Sequence, residues 1–445
     1  AGTGLSSCQI GKSYTRPDMP LPARLDTLTQ DTASIGDLSW WELYNDTTLQ
    51  QLIHRALTYN KDLKIASARM NELAALKRID FANMFPQATA RLNGNRETTN
   101  YGGDNFDADP ELSLTASISW ELDLWGNLRW ARDHSTAEFL ASVENCRAVK
   151  IGLVAQVAQS YFELMALDNE LAIVRRTLEA RREGVRLAEI RFKGGLTSEI
   201  VFQQAKVELA KTATMVPDLE RRISLKESEI ALLTGDFPYA VNRNVLPEEI
   251  QLPGALPLGL PSTLLERRPD IRKAERELMA AHAEVGLAYT NMFPRLALTA
   301  TLGAESETLR DLLKSPYSYL AGNLLSPLFA MGKNRAALKA KRTAYESAVA
   351  EYEKTVLTAF KETHDAIINF NKIKDIYESR RQLAEASRTA VELAQLQYIN
   401  GVIGYLDLLD AQRNYFDAQV SLSNAVCDKQ LMIINLYKAL GGGWK

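Results

Sequence analysis

The chain has few side chains of the types that act as nucleophiles or metal ligands. Its 445 residues include three cysteines and four histidines. Cys8, Cys146 and Cys427 form no C-x-x-C pair and do not lie at metal-ligand spacing from a histidine. The histidines are scattered along the chain, at His54, His134, His282 and His364. We therefore predict no metal site and no cofactor, and we interpret the histidines as surface or packing residues.

Two pairs of carboxylates have a close spacing that acid–base catalysis could use. They are Glu121 with Asp123, and Asp407 with Asp410. No serine–histidine, metal-binding or phosphate-loop arrangement accompanies either pair in the sequence. We interpret all four as solvated or lumen-facing acids, and we predict that the protein is not an enzyme.

The composition limits the class of protein and its partners. Hydrophobic residues make up 46% of the chain and charged residues 24%, with a net charge of −3. This balance does not favour binding to nucleic acid or to an anionic membrane surface. No segment approaches the roughly 20 continuous apolar residues that a membrane-spanning helix needs. If the protein crosses a bilayer, we expect it to do so with strands.

The chain contains an internal repeat. The tetrapeptide Asn-Met-Phe-Pro at 83–86 recurs at 291–294, and two glycines 69 residues apart, Gly126 and Gly195, correspond to Gly332 and Gly401. Such self-similarity indicates two copies of one structural unit. The predicted divisions are an N-terminal segment 1–44, a first repeat 45–235, a Pro-rich connector 236–260, a second repeat 261–440 and a tail 441–445.

Each repeat is predicted to contain a long helix and shorter ones. The segments 127–192 and 333–398 contain no proline, and each would form about 100 Å of helix at ~1.5 Å per residue. Successive spacings of three and four residues predict coiled-coil packing at Leu164, Leu167, Leu171, Val174 and Leu178. Shorter helices are predicted to return from the glycine turns at 196–234 and 402–440. Apolar residues at helical spacing predict an opening helix at 46–83 in the first copy.

A period-two pattern predicts unusually long strands. Residues 112–124 alternate apolar and polar side chains without interruption. Soluble strands average only ~5–6 residues, whereas membrane strands need ~9–11. The predicted partner strands are 88–95, 295–303 and 318–328, with weaker alternation. An ordinary amphipathic antiparallel sheet is the alternative interpretation.

The number of strands predicts an oligomer if the sheet crosses a membrane. Four strands per chain cannot close a barrel, because the smallest bacterial barrels have ~8. An open edge is not tolerated in lipid. Eight strands leave no channel, since side chains fill the barrel, so a conducting barrel favours three chains over two.

Several segments resemble hallmarks of the TolC family of outer-membrane efflux proteins, in its lipoprotein branch that serves resistance–nodulation–division pumps. They are YTRPDMP at 14–20, WELDLWG at 120–126, GLPS at 259–262, LERRPDI at 265–271 and LYKALGGGW at 436–444. The segments span essentially the whole chain and occur in the family's order. The resemblance implies a mainly α fold with a β-barrel: a homotrimer whose 12-stranded transmembrane barrel continues into a long periplasmic α-helical barrel.

The resemblance also implies a function and partners. We expect a passive outer-membrane channel of a Gram-negative bacterium, conducting drugs or other toxic small molecules. The implied partners are a periplasmic adaptor protein, an inner-membrane resistance–nodulation–division pump and outer-membrane lipid. LSSC at 5–8 is similar to the end of a lipobox, which implies lipidation of Cys8. A heavy-metal export duct and a non-conducting coiled-coil envelope tether remain alternatives.

The two glycine turns are predicted to dock the adaptor. The residues concerned are Gly194, Gly195, Leu196, Thr197 and Ser198 in the first turn and Gly401, Val402, Ile403 and Gly404 in the second. Some relatives carry an arginine latch just after the second turn. This chain does not have that arginine, so we do not expect the latch.

The helix beyond the second turn is predicted to line a periplasmic aperture, by similarity to family members. The aperture residues are Leu406, Asp407, Asp410 and Arg413, with Ile200 and Gln204 at the equivalent places of the first repeat. Leu406 and Asp410 are four residues apart and so share one helical face. Arg413 is the candidate partner of Asp410. As an alternative, both acids favour the first turn of a helix, where carboxylates complement the dipole.

Overall fold

The structure, a computed structural model, describes residues 9–20, 46–99, 107–243 and 261–442. These residues are mostly helical, with one four-stranded sheet. The backbone divides into two compact units. The first holds residues 9–19, 68–99, 107–144 and 272–355, and the second holds 20, 46–67, 145–243, 261–271 and 356–442. Each unit therefore combines segments from both sequence repeats.

The elements follow the predicted order closely. In chain order they are α1 (Thr47–Tyr59), α2 (Lys61–Ala82), β1 (Gln87–Thr99), β2 (Asp107–Leu122), α3 (Asn127–Lys193), α4 (Glu199–Thr234), α5 (Pro261–Arg267), α6 (Pro269–Thr290), β3 (Arg295–Ser306), β4 (Pro316–Leu325), α7 (Lys333–Ile399) and α8 (Tyr405–Ala439). The predicted long helices are confirmed, since α3 and α7 each run for 67 residues.

The prediction of one continuous helix at 46–83 is wrong. The chain leaves the helical conformation at Asn60, whose ψ is 136°. The side-chain amide of Asn60 donates to the carbonyl of Leu233 at 3.0 Å, and its Oδ1 accepts from the backbone N–H of Leu63 at 3.0 Å. Asn60 thus ends α1 and caps α2, as asparagine commonly does at the start of a helix.

The first unit contains an antiparallel sheet in the order β1-β2-β3-β4. All four predicted strands are present. β2 is longer than predicted at its start and ends at Leu122, two residues earlier than predicted. The N-terminal residues pack in the same unit, where the backbone of Ile10 bonds Trp125 and the indole N–H of Trp130 donates to the carbonyl of Ile10 at 3.0 Å.

The second unit has a helical core. Of the five predicted coiled-coil positions of α3, Leu178 is half-buried, and Leu164, Leu167, Leu171 and Val174 are buried. The four buried residues belong to one apolar cluster with residues of α1, α4 and α8, which confirms the coiled-coil interpretation of this part of α3. Within the described ranges, no helix is both long enough and apolar enough to cross a membrane.

Candidate functional sites: a two-faced sheet and two helix tips

The sheet of the first unit has one apolar and one polar face. Apolar residues of neighbouring strands stand opposite each other in the pairs Ala90–Ala116, Leu92–Leu114, Ala116–Leu302, Ile118–Ala300 and Trp120–Leu298. Side chains alternate along a strand, so Ser117 and Thr301 lie on the other face, where their hydroxyl oxygens are 2.9 Å apart. In the single chain the apolar face is not covered, since Leu302 is 68% exposed and Leu320 80%.

Both outer edges of the sheet are long. Among the described strands, β1 pairs only with β2 and β4 pairs only with β3. These edge strands have 13 and 10 residues. Such edges present rows of backbone N–H and C=O groups that can pair with another chain.

Two helix turns form the second candidate region. The first tip, residues 194–198, joins α3 to α4, and the second tip, residues 400–404, joins α7 to α8. Gly195 and Gly401 have φ values of 71° and 74°. A Cβ atom would meet nothing within 4 Å at either position. Glycine is therefore required at these two positions because the backbone has a positive φ, and not because a side chain would clash with its surroundings.

The residue after each glycine completes the same turn. The backbone N–H of Leu196 bonds the carbonyl of Arg191 at 2.9 Å, and that of Val402 bonds the carbonyl of Gln397 at 2.8 Å. This is the bond of a Schellman turn, which satisfies the last carbonyls of a helix. The side chains of Leu196 and Val402 are both exposed. Each tip therefore presents a rigid turn with one apolar side chain in solvent.

Aromatic side chains pack beneath the tips. Tyr398 and Tyr405 are buried in one cluster with Leu408. The guanidinium of Arg191, on α3, lies 4.7 Å from the ring centroid of Tyr398, within the range of a cation–π contact. Phe192 and Phe202 stack at 6.1 Å between ring centroids. The ends of the two helix pairs are thus joined to each other.

The predicted aperture residues differ in exposure and in partners. Leu406 and its repeat equivalent Ile200 are both exposed, as is Asp410, which accepts a hydrogen bond from the side chain of Asn414 at 3.2 Å. Gln204 is half-buried. Asp407 accepts the backbone N–H of Gly404 at 3.0 Å, and so caps the start of α8. This bond agrees with the alternative interpretation, in which an acid stabilises the first turn of a helix.

Arg413 pairs with Glu208 and not with the predicted Asp410. Its guanidinium bonds the carboxylate of Glu208, whose side chain is only 8% exposed. The hydrogen bond from Arg413 holds the pKa of Glu208 below its usual value. Beside this pair, Arg181 donates to Gln412. Burial lowers the pKa of Arg181, and the neighbouring Glu208 opposes that effect.

This buried polar network was not predicted, although the sequence contains a signal for it. The buried residues of α4 include Ala205, Glu208, Thr212, Leu219 and Ile223, at successive spacings of three, four, seven and four residues. A glutamate therefore occupies a position where the coiled-coil pattern calls for an apolar residue. A buried carboxylate requires a partner, and that requirement predicts a cation on a facing helix.

The matches to known proteins cover almost all of the chain. A family model described as "Outer membrane efflux protein" matches residues 52–236 and 260–442. The chain belongs to the outer membrane efflux protein family. The family's two matched segments agree with the predicted internal repeat, and the match confirms the predicted function and localisation of this outer membrane efflux protein.

Individual relatives match over their whole length. The chain is 33% identical to the solvent efflux pump outer membrane protein SrpC of Pseudomonas putida, covering 99% of this chain and 96% of that protein. It is 28% identical to the cation efflux system protein CusC of Escherichia coli, covering 99% and 97%. The solved structure of the outer-membrane channel OprN superposes with a TM-score of 0.90 and 30% identity, covering 98% of this chain and 100% of that one.

Other potentially reactive side chains of this outer membrane efflux protein are paired or buried. Asp123 pairs with Arg129 at 2.9 Å. The Sγ atom of Cys146 lies 3.7 Å from the hydroxyl of Ser67. Cys427 is buried, which raises the pKa of its thiol to about 12. In the described part of the chain, no group of three or more metal-ligand side chains comes together. Cys8 lies outside the described residues.

Proposed function

We propose that the chain is one subunit of a homotrimeric channel, which conducts small molecules outward through the outer membrane from a pump and an adaptor. The observation that carries this proposal is the two-faced sheet. Its apolar face is exposed in the single chain and its opposite face is polar. A strand in a membrane barrel needs that combination, with apolar side chains toward lipid and polar ones toward the lumen.

The free edges of the sheet support the trimer. Backbone groups on an open edge cannot remain unpaired in lipid. Three copies of a four-stranded sheet form a closed wall of twelve strands when each β1 pairs with a neighbouring β4. Two copies form only eight strands, and side chains fill a barrel of that size.

Neighbouring residues on opposite faces provide a direct experiment. Leu302→Arg places a charge on the apolar face, at a cost of about 2–4 kcal/mol near the bilayer centre. Thr301→Arg places the same charge on the polar face. We expect Leu302→Arg to prevent insertion and Thr301→Arg to insert and change ion selectivity, as measured by single-channel conductance in planar bilayers. Absence of conductance in the unmodified trimer would instead support the coiled-coil tether.

The relatives support two classes of cargo. SrpC is described as part of a solvent efflux pump and CusC as part of a cation efflux system. We propose drugs or other toxic organic molecules as the cargo, because the identity to SrpC is higher, and metal ions as the second candidate. Complementation of strains that lack a solvent-exporting or a cation-exporting channel separates the two.

We propose that both tips dock the adaptor. Each presents an exposed apolar side chain, Leu196 or Val402, on a turn whose backbone is fixed by hydrogen bonds. A rigid surface binds a partner at a lower entropic cost than a mobile one. Three chains provide six such tips, which suits a partner that binds repeatedly around the channel.

We propose that Leu406 and Asp410 line the periplasmic aperture, with Ile200 and Gln204 at the equivalent places of the first repeat. Leu406 and Asp410 are exposed on one face of α8. In a trimer they form a leucine ring and a carboxylate ring. Leucine rings can exclude water and ions by dewetting. Arg413 and Glu208 position this face, since they join α8 to α4.

We propose that Cys8 carries a lipid anchor. Firm anchoring takes more than one acyl chain, as in a bacterial lipoprotein. Mass spectrometry of protein expressed with its native signal tests this. An unmodified Cys8 in the outer-membrane fraction contradicts it. Cys8→Ala is expected to weaken anchoring and to leave barrel insertion intact.

A further inference from the structure

The base of the sheet lies where the strands meet α6 and α7, and it has features of a membrane interface. Arg295, the first residue of β3, pairs with Leu325, the last residue of β4. At the same end of the sheet, Trp120 lies on the apolar face, and its indole N–H donates to the carbonyl of Met84 at 3.1 Å. Tryptophans that have one apolar and one hydrogen-bonded side are enriched at the headgroup level of membranes.

An exposed apolar segment continues from the base. Large apolar side chains are exposed at five positions, two at the end of β4 and three between β4 and α7. They are Leu324, Leu325, Leu328, Phe329 and Met331. Met331 has a positive φ of 45°, which is uncommon for a residue other than glycine, asparagine or aspartate.

A basic patch follows at once. We define the basic patch as Lys333, Arg335, Lys339 and Arg342, all of which are exposed. Arg335, Lys339 and Arg342 share one face of α7, because they are spaced by four and three residues. No member of the patch forms an ion pair within the described part of the chain. Uncompensated like charges on one helix face repel each other, which favours an external anion.

The first repeat lacks such a patch at the equivalent positions. These are Asn127, Arg129, Asp133 and Thr136, at an offset of 206 residues. Arg129 pairs with Asp123, and Asp133 pairs with Arg132 at 2.7 Å. At these four positions, uncompensated positive charge is therefore present in the second repeat and absent from the first, and the nearly balanced net charge of the whole chain conceals it.

A cavity opens beside the basic patch. It has a volume of about 610 Å³, and three cations line it, namely Arg295, Lys333 and Lys341. The acid that lines it, Glu284, is paired with Lys341 at 2.8 Å. Its other walls include apolar Leu287, Phe293, Leu325 and Pro327. The lining thus combines positive charge with apolar surface.

We propose that the basic patch and this cavity bind the headgroups of anionic phospholipids at the periplasmic surface of the outer membrane. The inference rests on the proposed insertion of the sheet. An anionic phospholipid matches both halves of the lining, because its phosphate meets the cations and the upper part of its acyl chains meets the apolar wall. Clusters of lysine and arginine next to a membrane span bind anionic lipid in this way.

The experiment measures lipid preference in the intact channel. Purified trimer is reconstituted in mixed phosphatidylglycerol and phosphatidylcholine bilayers, and spin-labelled lipid of each type reports the fraction held at the protein surface. A patch variant, Lys333→Gln/Arg335→Gln/Lys339→Gln/Arg342→Gln, removes four charges. A control variant, Lys354→Gln/Lys361→Gln/Lys372→Gln/Lys374→Gln, removes four exposed lysines elsewhere on α7. A third variant, Arg335→Lys/Arg342→Lys, keeps the charge.

We expect the unmodified trimer to prefer phosphatidylglycerol, and the patch variant to lose that preference by about fivefold or more. The control variant and the Arg335→Lys/Arg342→Lys variant are expected to keep it, and soluble glycerol phosphate is not expected to compete. If the patch variant does not fold, its two halves, Lys333→Gln/Arg335→Gln and Lys339→Gln/Arg342→Gln, are each expected to lose part of the preference.

Four results overturn the inference. They are no preference in the unmodified trimer, an unchanged preference in the patch variant, displacement by glycerol phosphate alone, and dissociation of the patch variant into monomers with its lipid preference intact. The last result would show that the basic patch forms a contact between subunits of the trimer. Failure of the proposed function gives a different outcome, because the protein then fails to enter bilayers of either composition.

Discussion

The two tips have the same backbone conformation but differ in the side chains that follow the turn. Each tip has a glycine with positive φ. The backbone N–H of the next residue bonds the carbonyl of the residue five positions earlier, and the side chain of that next residue is apolar and exposed. The first tip continues into α4 with Ser198, which makes no side-chain capping bond, and the second continues into α8 with Asp407, which does. The exposed acid Asp410 of α8 has the neutral Gln204 as its equivalent in α4.

This difference separates two kinds of constraint. The turn is required in both repeats because each must reverse a long helix, and only glycine adopts that φ without strain. The side chains beyond the turn are free to diverge, so Asp407 and Asp410 correspond to the uncharged Val201 and Gln204 in the first repeat. We infer that both tips serve docking, which needs the shared surface, and that the second repeat contributes more to the aperture.

The largest expected effect is a loss of resistance when the proposed docking surface at either tip is disrupted. Gly195→Trp and Gly401→Trp each add a large side chain at a φ that costs an L-residue about 1–2 kcal/mol. We expect each change to abolish resistance while trimers still form, as measured by growth on an exported compound and by native gels.

The control for these changes retains the turn. Gly195→Asn and Gly401→Asn are expected to keep resistance, because asparagine tolerates the left-handed conformation. Full resistance in both tryptophan variants would falsify the docking role. Loss in only one of them would show that the tips are not equivalent.

The next effect compares the repeats at the aperture. Leu406→Ala/Asp410→Ala removes an exposed leucine and an exposed acid from α8, and Ile200→Ala/Gln204→Ala removes the equivalent pair from α4. We expect conductance to rise in both and to rise more in the first, because only there is a carboxylate ring removed. Cells should also admit large antibiotics. An equal or smaller rise in the first variant contradicts the assigned asymmetry.

A smaller effect is expected from the pair that joins the two returning helices. Glu208→Gln removes the charged acceptor of Arg413, whose own side chain is 48% exposed. Because solvent screens the exposed guanidinium, we expect a loss of about 1–2 kcal/mol in the free energy of unfolding. Thermal unfolding measures it. Arg413→Gln is the matched change, and the double variant should lose less than the sum of the two.

The same pair predicts a dependence on pH. Since the pKa of Glu208 in the folded protein lies below its usual value, its contribution is present above the ordinary pKa of 4.5 and is lost as the pH falls through the lower folded value. The contribution of this pair to the free energy of unfolding is therefore expected to remain constant from neutral pH down to about 4.5. A loss between pH 7 and 5 that Glu208→Gln removes contradicts the assignment.

The smallest expected effect distinguishes the two helix starts. Asp407→Ala removes the bond to the backbone N–H of Gly404, for an expected loss of about 1 kcal/mol. Ser198→Ala removes no side-chain capping bond and is expected to cost only a few tenths of that amount. Thermal unfolding of both variants tests the difference. Equal losses indicate that Asp407 does not act as a cap.

The sequence by itself determined the elements and their duplication. Alternation along β2, the absence of proline from α3 and α7, and the glycines at 195 and 401 are local properties of the chain, so each could be interpreted without a fold. The break at Asn60 was also local, but asparagine within an apolar helical pattern is a weak signal. Its effect depends on the carbonyl of Leu233, which is distant in the sequence.

Only the tertiary structure decided which side chains meet. Arg413 is three residues from Asp410 and 205 from Glu208, yet it pairs with Glu208, because a buried carboxylate gains more from an ion pair than a solvated one does. The cavity at the base of the sheet gathers Arg295, Lys333 and Lys341 from two different elements. Periodicity specifies which face of an element is buried, whereas the partner across that face is specified by packing alone.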